Sequence, residues 1–188
     1  MTPDERSRAL RSEADHVLEL IRLPEVCAPI GALTPTGSYF MDLMMYPDVD
    51  LYLPPTSVEM LLGLASDLAK LDCVQGINYF RGGPGDLKDG LYLKLYVAHG
   101  RWERLWKIDI WSLPPAVVEM KQAELQRLES RMTPEHRATI LETKHHLLTD
   151  EGRTPMFSGI YIYKAVIDDG LHQLDDIVRA LRSNGIGV

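Results

Sequence analysis

Three aspartates in two short apolar stretches carry the chemistry that this sequence offers. Asp48 and Asp50 stand in Asp48-Val49-Asp50-Leu51, and Asp109 stands in Ile108-Asp109-Ile110-Trp111. In an extended strand successive side chains point to opposite faces. Asp48, Asp50 and Tyr52 therefore share one face, and Val49, Leu51 and Leu53 share the other. The aliphatic face can bury against helices and leave two carboxylates side by side on the open face. Such a pair repels itself unless a cation neutralises it or one acid takes up a proton. An oxygen-rich site of this kind suits Mg²⁺, which takes one or two carboxylates together with substrate phosphates. Upstream lies the turn Thr36-Gly37-Ser38, with nine residues between Ser38 and Asp48. Its small groups let the backbone approach a phosphate closely.

Gly37-Ser38, Asp48-x-Asp50 and the later strand acid Asp109 together resemble the nucleotidyltransferase superfamily with the DNA-polymerase-β-like fold. The resemblance runs from about residue 30 to residue 111, and the helical remainder is similar in layout to the second half of small-molecule nucleotidyltransferases such as the aminoglycoside enzymes. It implies that Asp48 and Asp50 hold Mg²⁺, and that Asp109 joins the second metal or acts as base for an acceptor hydroxyl. Ser38 and the Gly37 backbone would contact the phosphates of ATP or another nucleoside triphosphate. Lys94 and Lys107 fall on the same strand faces as the acids by alternation and would steady the triphosphate. The activity implied is transfer of a nucleoside monophosphate to a hydroxyl of a small molecule, an aminoglycoside-like cation being favoured by the acidic balance. The alternative is an inactive binding or regulatory module of the same fold, similar to an antitoxin-like partner protein. It draws on two departures from the family's usual pattern: Tyr39-Phe40-Met41-Asp42 follows the turn in place of a glycine and a basic residue, and Pro47 replaces a serine before the acids.

These residues need a scaffold, and the pattern predicts an α+β one. A mixed β-sheet with helices packed on one face occupies 1–113, and a C-terminal helical bundle occupies 114–188, with Pro114 at the join. Thr2-Pro3-Asp4-Glu5 forms a capping box with proline in the first turn. Leu10, Ala14, Val17, Leu18 and Ile21 then mark a helix ending near Leu23-Pro24. A strand is expected from about Val26 to Thr34, and Phe40 to Tyr46 is suited to a short packed helix. Thr56-Ser57-Val58-Glu59 reads as a second capping box, followed by Leu61, Leu64, Ala65 and Leu68 at helical spacing. Strands follow at Cys73 to Phe80, at Leu91 to Val97 and, after a turn at His99-Gly100, from Trp102 to Trp111. Beyond Pro114 helices are expected at Ala116 to Arg131, at Thr133 to about Leu148, from Thr154-Pro155 to Asp168, and around Leu171 to Leu181.

Composition bounds the partners. The 188 residues carry 20 Lys and Arg against 27 Asp and Glu, a net charge of −7, which disfavours broad binding to a nucleic-acid backbone. Two cysteines, Cys27 and Cys73, make no disulfide framework, so a reducing, cytoplasmic setting is expected. No apolar run is long enough for a membrane span. A homo-oligomer is compatible with the sequence.

Other tempting residues receive plainer readings. His145 and His146 are adjacent on a helix and point about 100° apart, which disfavours a shared metal. Trp102, Trp106 and Trp111 are assigned to core and interface packing. Ser158, Tyr161 and Lys164 lie where the family often places nucleotide contacts, with packing and a solvated lysine as the competing reading. Asp168-Asp169 and Asp175-Asp176 belong to a helix end and a solvated first turn.

Overall fold

The computed structural model describes residues 1–102 and 104–188. The first helix, α1 (Pro3–Leu20), begins with the expected capping box: the Thr2 hydroxyl accepts from the Glu5 N–H, and the Glu5 carboxylate accepts from the Thr2 N–H. It ends slightly earlier than its apolar spacing suggests, because Arg22 turns left-handed at φ 51°. The strand expected at Val26 to Thr34 does not form as such. Leu23–Cys27 is a short helix, α2, with Pro24 in its first turn and with Leu23 and Cys27 buried one turn apart. That burial favours helical over extended backbone here. Only Thr34–Thr36 is extended, as β1, and Gly37–Phe40 forms the four-residue α3.

β2 (Asp48–Leu53) and α4 (Val58–Leu68) follow, and the cap of α4 is Ser57, whose hydroxyl accepts from the Met60 N–H. β3 (Val74–Arg81), β4 (Leu91–Val97) and β5 (Trp106–Ser112) complete the sheet. The rest is helical: α5 (Pro115–Arg131), α6 (Pro134–His146), α7 (Ser158–Ile167) and α8 (Leu174–Ser183). Thr154-Pro155 does not cap α7, which starts three residues later, after Phe157 at φ 62°.

The sheet runs β1-β2-β5-β4-β3, with β2 and β5 parallel and every other pair antiparallel. Val49, Leu51, Leu53, Leu93, Leu95, Ile108 and Ile110 turn to one face, where they meet Leu10, Ala14 and Val17 of α1 and Leu61, Leu64 and Leu68 of α4. This is the alternation expected of a sheet buried on one side. A second apolar cluster gathers Leu125, Leu128, Ile140, Leu141, Ile162, Val166, Ile177 and Leu181 from the C-terminal helices.

Residues 41–45, expected as a packed helix, serve both clusters instead. Met41, Leu43 and Met45 enter the helical cluster while Met44 enters the sheet cluster. Polar ties hold the two together across this segment. Arg137 of α6 pairs with Asp4 and with Asp42, and Gln122 of α5 donates to the Pro35 carbonyl at 2.6 Å. The open face of the sheet thus becomes one wall of a cleft whose other wall is helical.

Candidate active site

Register decides the site. Because β2 and β5 run parallel, Asp48 lies opposite Lys107 and Asp50 lies opposite Asp109. Direct partners in a sheet project to the same side, so all three acids stand on the open face. One ligand oxygen from each of Asp48, Asp50 and Asp109 lies within 4.8 Å of the others, and this is the one such cluster among the described residues. Asp48 and Asp109 are buried, and Asp50 is half-buried.

Lys107 sits among them. Its Nζ lies 3.1 Å from Asp48 Oδ1 and 3.0 Å from Asp109 Oδ2. Burial opposes its charge, but Asp48, Asp109 and Asp50 outweigh burial and hold the ammonium above its ordinary value. Burial pushes the Asp48 carboxyl up to about 6, against the pull of Lys107 and with a further push from Asp109. Burial, then the neighbouring Asp48 and Asp109, pushes Asp50 well above the usual carboxylate range. One ammonium therefore under-neutralises three acids. Asp48 Oδ1 and Asp109 Oδ1 are buried and lack hydrogen-bond partners among the described residues, the former meeting Lys107 only as an ion pair. Orphaned carboxylate oxygens of this kind fit a hard divalent cation.

Gly37 meets this cluster from β1. Thr36 pairs with Asp50, and Gly37 follows at φ 60°, where a Cβ would lie 2.5 Å from Asp50 Oδ2. Both the left-handed backbone and the close carboxylate require glycine here. Ser38, Lys94 and Lys107 line the same cleft of about 450 Å³ as the three acids. All seven residues singled out from the sequence are thus brought together.

The helical wall adds groups that the sequence reading passed over. Lys144 of α6 is 2% exposed, and its ammonium donates to the Leu43 carbonyl and to Tyr163 Oη. Burial lowers it to about 8, against the pull of Asp48 and Asp50. Its signal was a lysine on the same helical stripe as Ile140 and Leu141. Arg104 and Arg153 also reach the cleft, from loops whose sequence marks nothing. Ser158, which the sequence did single out, with packing as its competing reading, stands at the start of α7, 1% exposed, with a hydroxyl that finds no partner among the described residues.

Other residues part company with the site. Lys164 pairs with Glu124 at 2.6 Å, and His145 and His146 are exposed at the end of α6. Trp102 and Trp106 both donate to Glu13 Oε1, at 2.9 and 3.0 Å, as a structural clamp. Trp111, assigned to packing, instead faces the cleft, because its parity on β5 is that of Asp109.

Against known proteins, no family model matches the chain, and a search of curated proteins finds no match. Solved structures do match in shape. A cytoplasmic RNA terminal U-transferase aligns at TM-score 0.55 with 15% identity, over 80% of this chain and 46% of that one. A chain of the GLD-2/RNP-8 complex aligns at TM-score 0.56 with 13% identity, over 84% of this chain and 59% of that one. The non-canonical poly(A) polymerase complex GLD-2–GLD-3 aligns at TM-score 0.56 with 13% identity, over 93% of this chain and 61% of that one. The fold is the nucleotidyltransferase fold. In this nucleotidyltransferase fold the acidic triad occupies two parallel neighbouring strands beside a Gly-Ser turn. The chain spans about half to three fifths of the length of the structures it matches.

Proposed function

We propose that this chain is a Mg²⁺-dependent nucleotidyltransferase that moves a nucleoside monophosphate from ATP or another nucleoside triphosphate to an acceptor hydroxyl. The observation that carries the reading is the convergence of Asp48, Asp50 and Asp109, with orphaned buried oxygens, at the floor of an open cleft. A bound pair of divalent cations stabilises the charge that grows on the attacking and leaving oxygens. Asp48 and Asp50 would hold the metal, and Asp109 would complete its shell and accept the acceptor's proton. The Gly37 backbone and Ser38 would approach the phosphates from the sheet side. Lys144 and Ser158 face them from the helical side, and Lys94 and Lys107 balance the remaining charge.

The cleft has a different charge from the chain. Its lining carries five basic residues, Lys94, Arg104, Lys107, Lys144 and Arg153, against three acids, although the whole chain is at −7. An aminoglycoside-like cationic acceptor rests on the whole-chain figure and loses its footing there, whereas a triphosphate gains one. The free thiols, with Cys27 pushed up to about 12 by burial, accord with a cytoplasmic setting. No helix among the described residues is long and apolar enough to cross a membrane.

A second reading rests on Lys107. An ammonium already seated between Asp48 and Asp109 is what an inactive, metal-independent module of the same fold would use. The two readings separate in one assay: release of labelled pyrophosphate from each nucleoside triphosphate with Mg²⁺ and a panel of hydroxyl acceptors. The enzyme reading expects metal-dependent release that Asp109→Asn reduces at least ~10²-fold. No release with any donor, together with no heat on titrating Mg²⁺ and a non-hydrolysable ATP analogue, decides for the inactive module.

A further inference from the structure

The sheet has two free edges, and the chain treats them differently. β1 is three residues long, its central Pro35 has no N–H, and the Pro35 carbonyl accepts from Gln122 of α5. β3, at the other edge, is eight residues long, and from Gly76 to Phe80 it holds neither proline nor charge. The Gly82 N–H donates to the Gly90 carbonyl at 2.8 Å, and hydrogen-bonded partners recur at every second residue of an antiparallel pair. Phe80, Asn78 and Gly76 therefore turn their N–H and C=O groups inward to β4, while Ile77 and Tyr79 turn theirs out. No other segment meets those outward groups among the described residues. Proteins ordinarily cover, charge or break up an edge of this length.

Paired about a two-fold axis, β3 complements itself. Outward groups must face outward groups, so Ile77 and Tyr79 of one copy have to meet the same residues of a second. With the axis at Asn78, Ile77 lies opposite Tyr79 of the second copy and Tyr79 lies opposite its Ile77. An aromatic residue then faces a β-branched one twice, and each pair exchanges two backbone hydrogen bonds. Phe80 lies opposite Gly76 of the second copy, where the missing side chain leaves room for a ring. The open face supports that fit. Trp111 and Tyr92 stack at 4.3 Å between centroids, Tyr92 and Phe80 follow at 5.7 Å, and the row ends on Phe80, which is 49% exposed. Tyr96 leans over Gly76 of its own chain, 3.3 Å from where a Cβ would stand, so Phe80 would carry the row on to Tyr96 of the second copy. Asn78 is exposed and meets its own copy amide to amide, and the two Arg81 residues end ~20 Å apart along the strands. Moving the axis by one residue loses the fit. At Ile77 it sets Tyr79 against Gln75, inside the register shift between Val74 and Gly76, and at Tyr79 it sets Phe80 against Asn78.

We propose that this chain forms a homodimer by antiparallel pairing of its β3 edges about Asn78, which joins two five-stranded sheets into one of ten strands. The dimer goes beyond the transfer reaction and does not depend on it. A foreign strand could use the same outward N–H and C=O groups, but nothing would make it offer a glycine to Phe80 and an isoleucine to Tyr79. This chain supplies both at the right spacing. The axis stands perpendicular to the joined sheet, so both clefts open on the same side. The row Asp50, Asp109, Lys94 and Asn78, across β2, β5, β4 and β3, then runs on into Asn78, Lys94, Asp109 and Asp50 of the second copy. The two acidic clusters fall on one line, with their Asp109 positions ~24 Å apart over five strand spacings.

The test is the oligomeric state of the full chain, read by sedimentation velocity in reductant from micromolar to several hundred micromolar chain. Wild type is expected to pass from one chain mass to two as concentration rises. Tyr79→Pro removes an outward N–H that a free edge strand does not use, and Phe80→Lys sets a charge against the glycine of the second copy. Each change occurs twice in the dimer and is expected to weaken it roughly tenfold, with the fold verified by circular dichroism. Register is tested separately in a Cys73→Ser background, at exposed positions whose replacement leaves the core intact. Asn78→Cys brings two thiols across a non-hydrogen-bonded pair with Cα atoms ~4.5 Å apart, within disulfide reach, so mild oxidation should trap a covalent dimer. Phe80→Cys, with its two copies ~14 Å apart, should not be trapped. A dimer weakened by both substitutions and trapped at position 78 supports the proposal. It is overturned if wild type stays monomeric throughout, if a dimer forms that neither substitution weakens, or if Phe80→Cys cross-links as readily as Asn78→Cys.

Discussion

Asp48→Asn should make the metal-free protein more stable while removing its response to Mg²⁺. Asp48 is 7% exposed, and its carboxyl is pushed from the ordinary 3.8 to about 6, chiefly by burial. At 1.36 kcal/mol per pH unit that difference is about 3 kcal/mol of penalty on the folded state once both states are ionised. The sign follows from proton counts. Between 3.8 and about 6 the folded form binds the proton that the unfolded form has lost, so stability falls as pH rises through that window and the full penalty applies above it. The asparagine escapes the penalty, from which the pull of Lys107 on Asp48 is already subtracted, and Lys107 keeps Asp109 at 3.0 Å. A gain of about 3 kcal/mol follows, or a Tm about 6–12 °C higher for a chain of this size. Urea denaturation in EDTA at pH 7.5 measures it, and at pH 4.5 the wild type's penalty should shrink to about 1 kcal/mol. Adding Mg²⁺ at a hundred times its Kd should then raise the wild type by about 2.7 kcal/mol and the variant by much less. A variant less stable than wild type at pH 7.5 would mean that the acids exist to pair with Lys107. The metal argument would then be lost.

Two further outcomes follow from the same geometry. Gly37→Ala adds a Cβ 2.5 Å from Asp50 Oδ2 at φ 60°, so it should cost about 1–2 kcal/mol in thermal denaturation and weaken Mg²⁺ binding; unchanged metal affinity would separate the turn from the acids. Lys144→Met removes a buried ammonium lowered to about 8, so it should leave stability at pH 7 within about 2 kcal/mol of wild type while weakening binding of a triphosphate analogue. Wild type should also gain stability from pH 8 to 10, where Lys144 sheds a proton more readily folded than unfolded, and the variant should lack that gain.

The inactive reading and the enzymatic one share the same residues, and Lys107 is where they divide. Its ammonium is the counter-charge of the metal-free cluster, and it stands one strand from Lys94 with a cleft open above it. Metal entry would relieve Lys107 of that duty. The under-neutralised acids are the reason to expect such entry, since a site built only for an ion pair would not leave Asp109 Oδ1 orphaned.

By itself the sequence determined the faces. Period-two alternation at Val49, Leu51 and Leu53, and at Ile108 and Ile110, is a local property, so it sent Asp48, Asp50 and Asp109 to the open side before any pairing was known. Capping at Thr2 and the helical spacing through α1 and α4 were legible for the same reason. Where several weak local signals competed, local reasoning failed: burial of Leu23 and Cys27 coiled a segment expected to be extended, and two cores divided residues 41–45 between them.

Only the tertiary structure decided which side chains meet. Parallel pairing of β2 with β5 is a long-range choice, and it alone sets Asp50 beside Asp109 and Lys107 beside Asp48. Lys144 and Ser158 lie more than thirty residues downstream of β5, and their role depends on how their helices pack over the sheet. Charge behaves the same way: a chain at −7 encloses a cleft lined by more cations than acids, because net charge is a sum over the chain and a cleft is a selection from it.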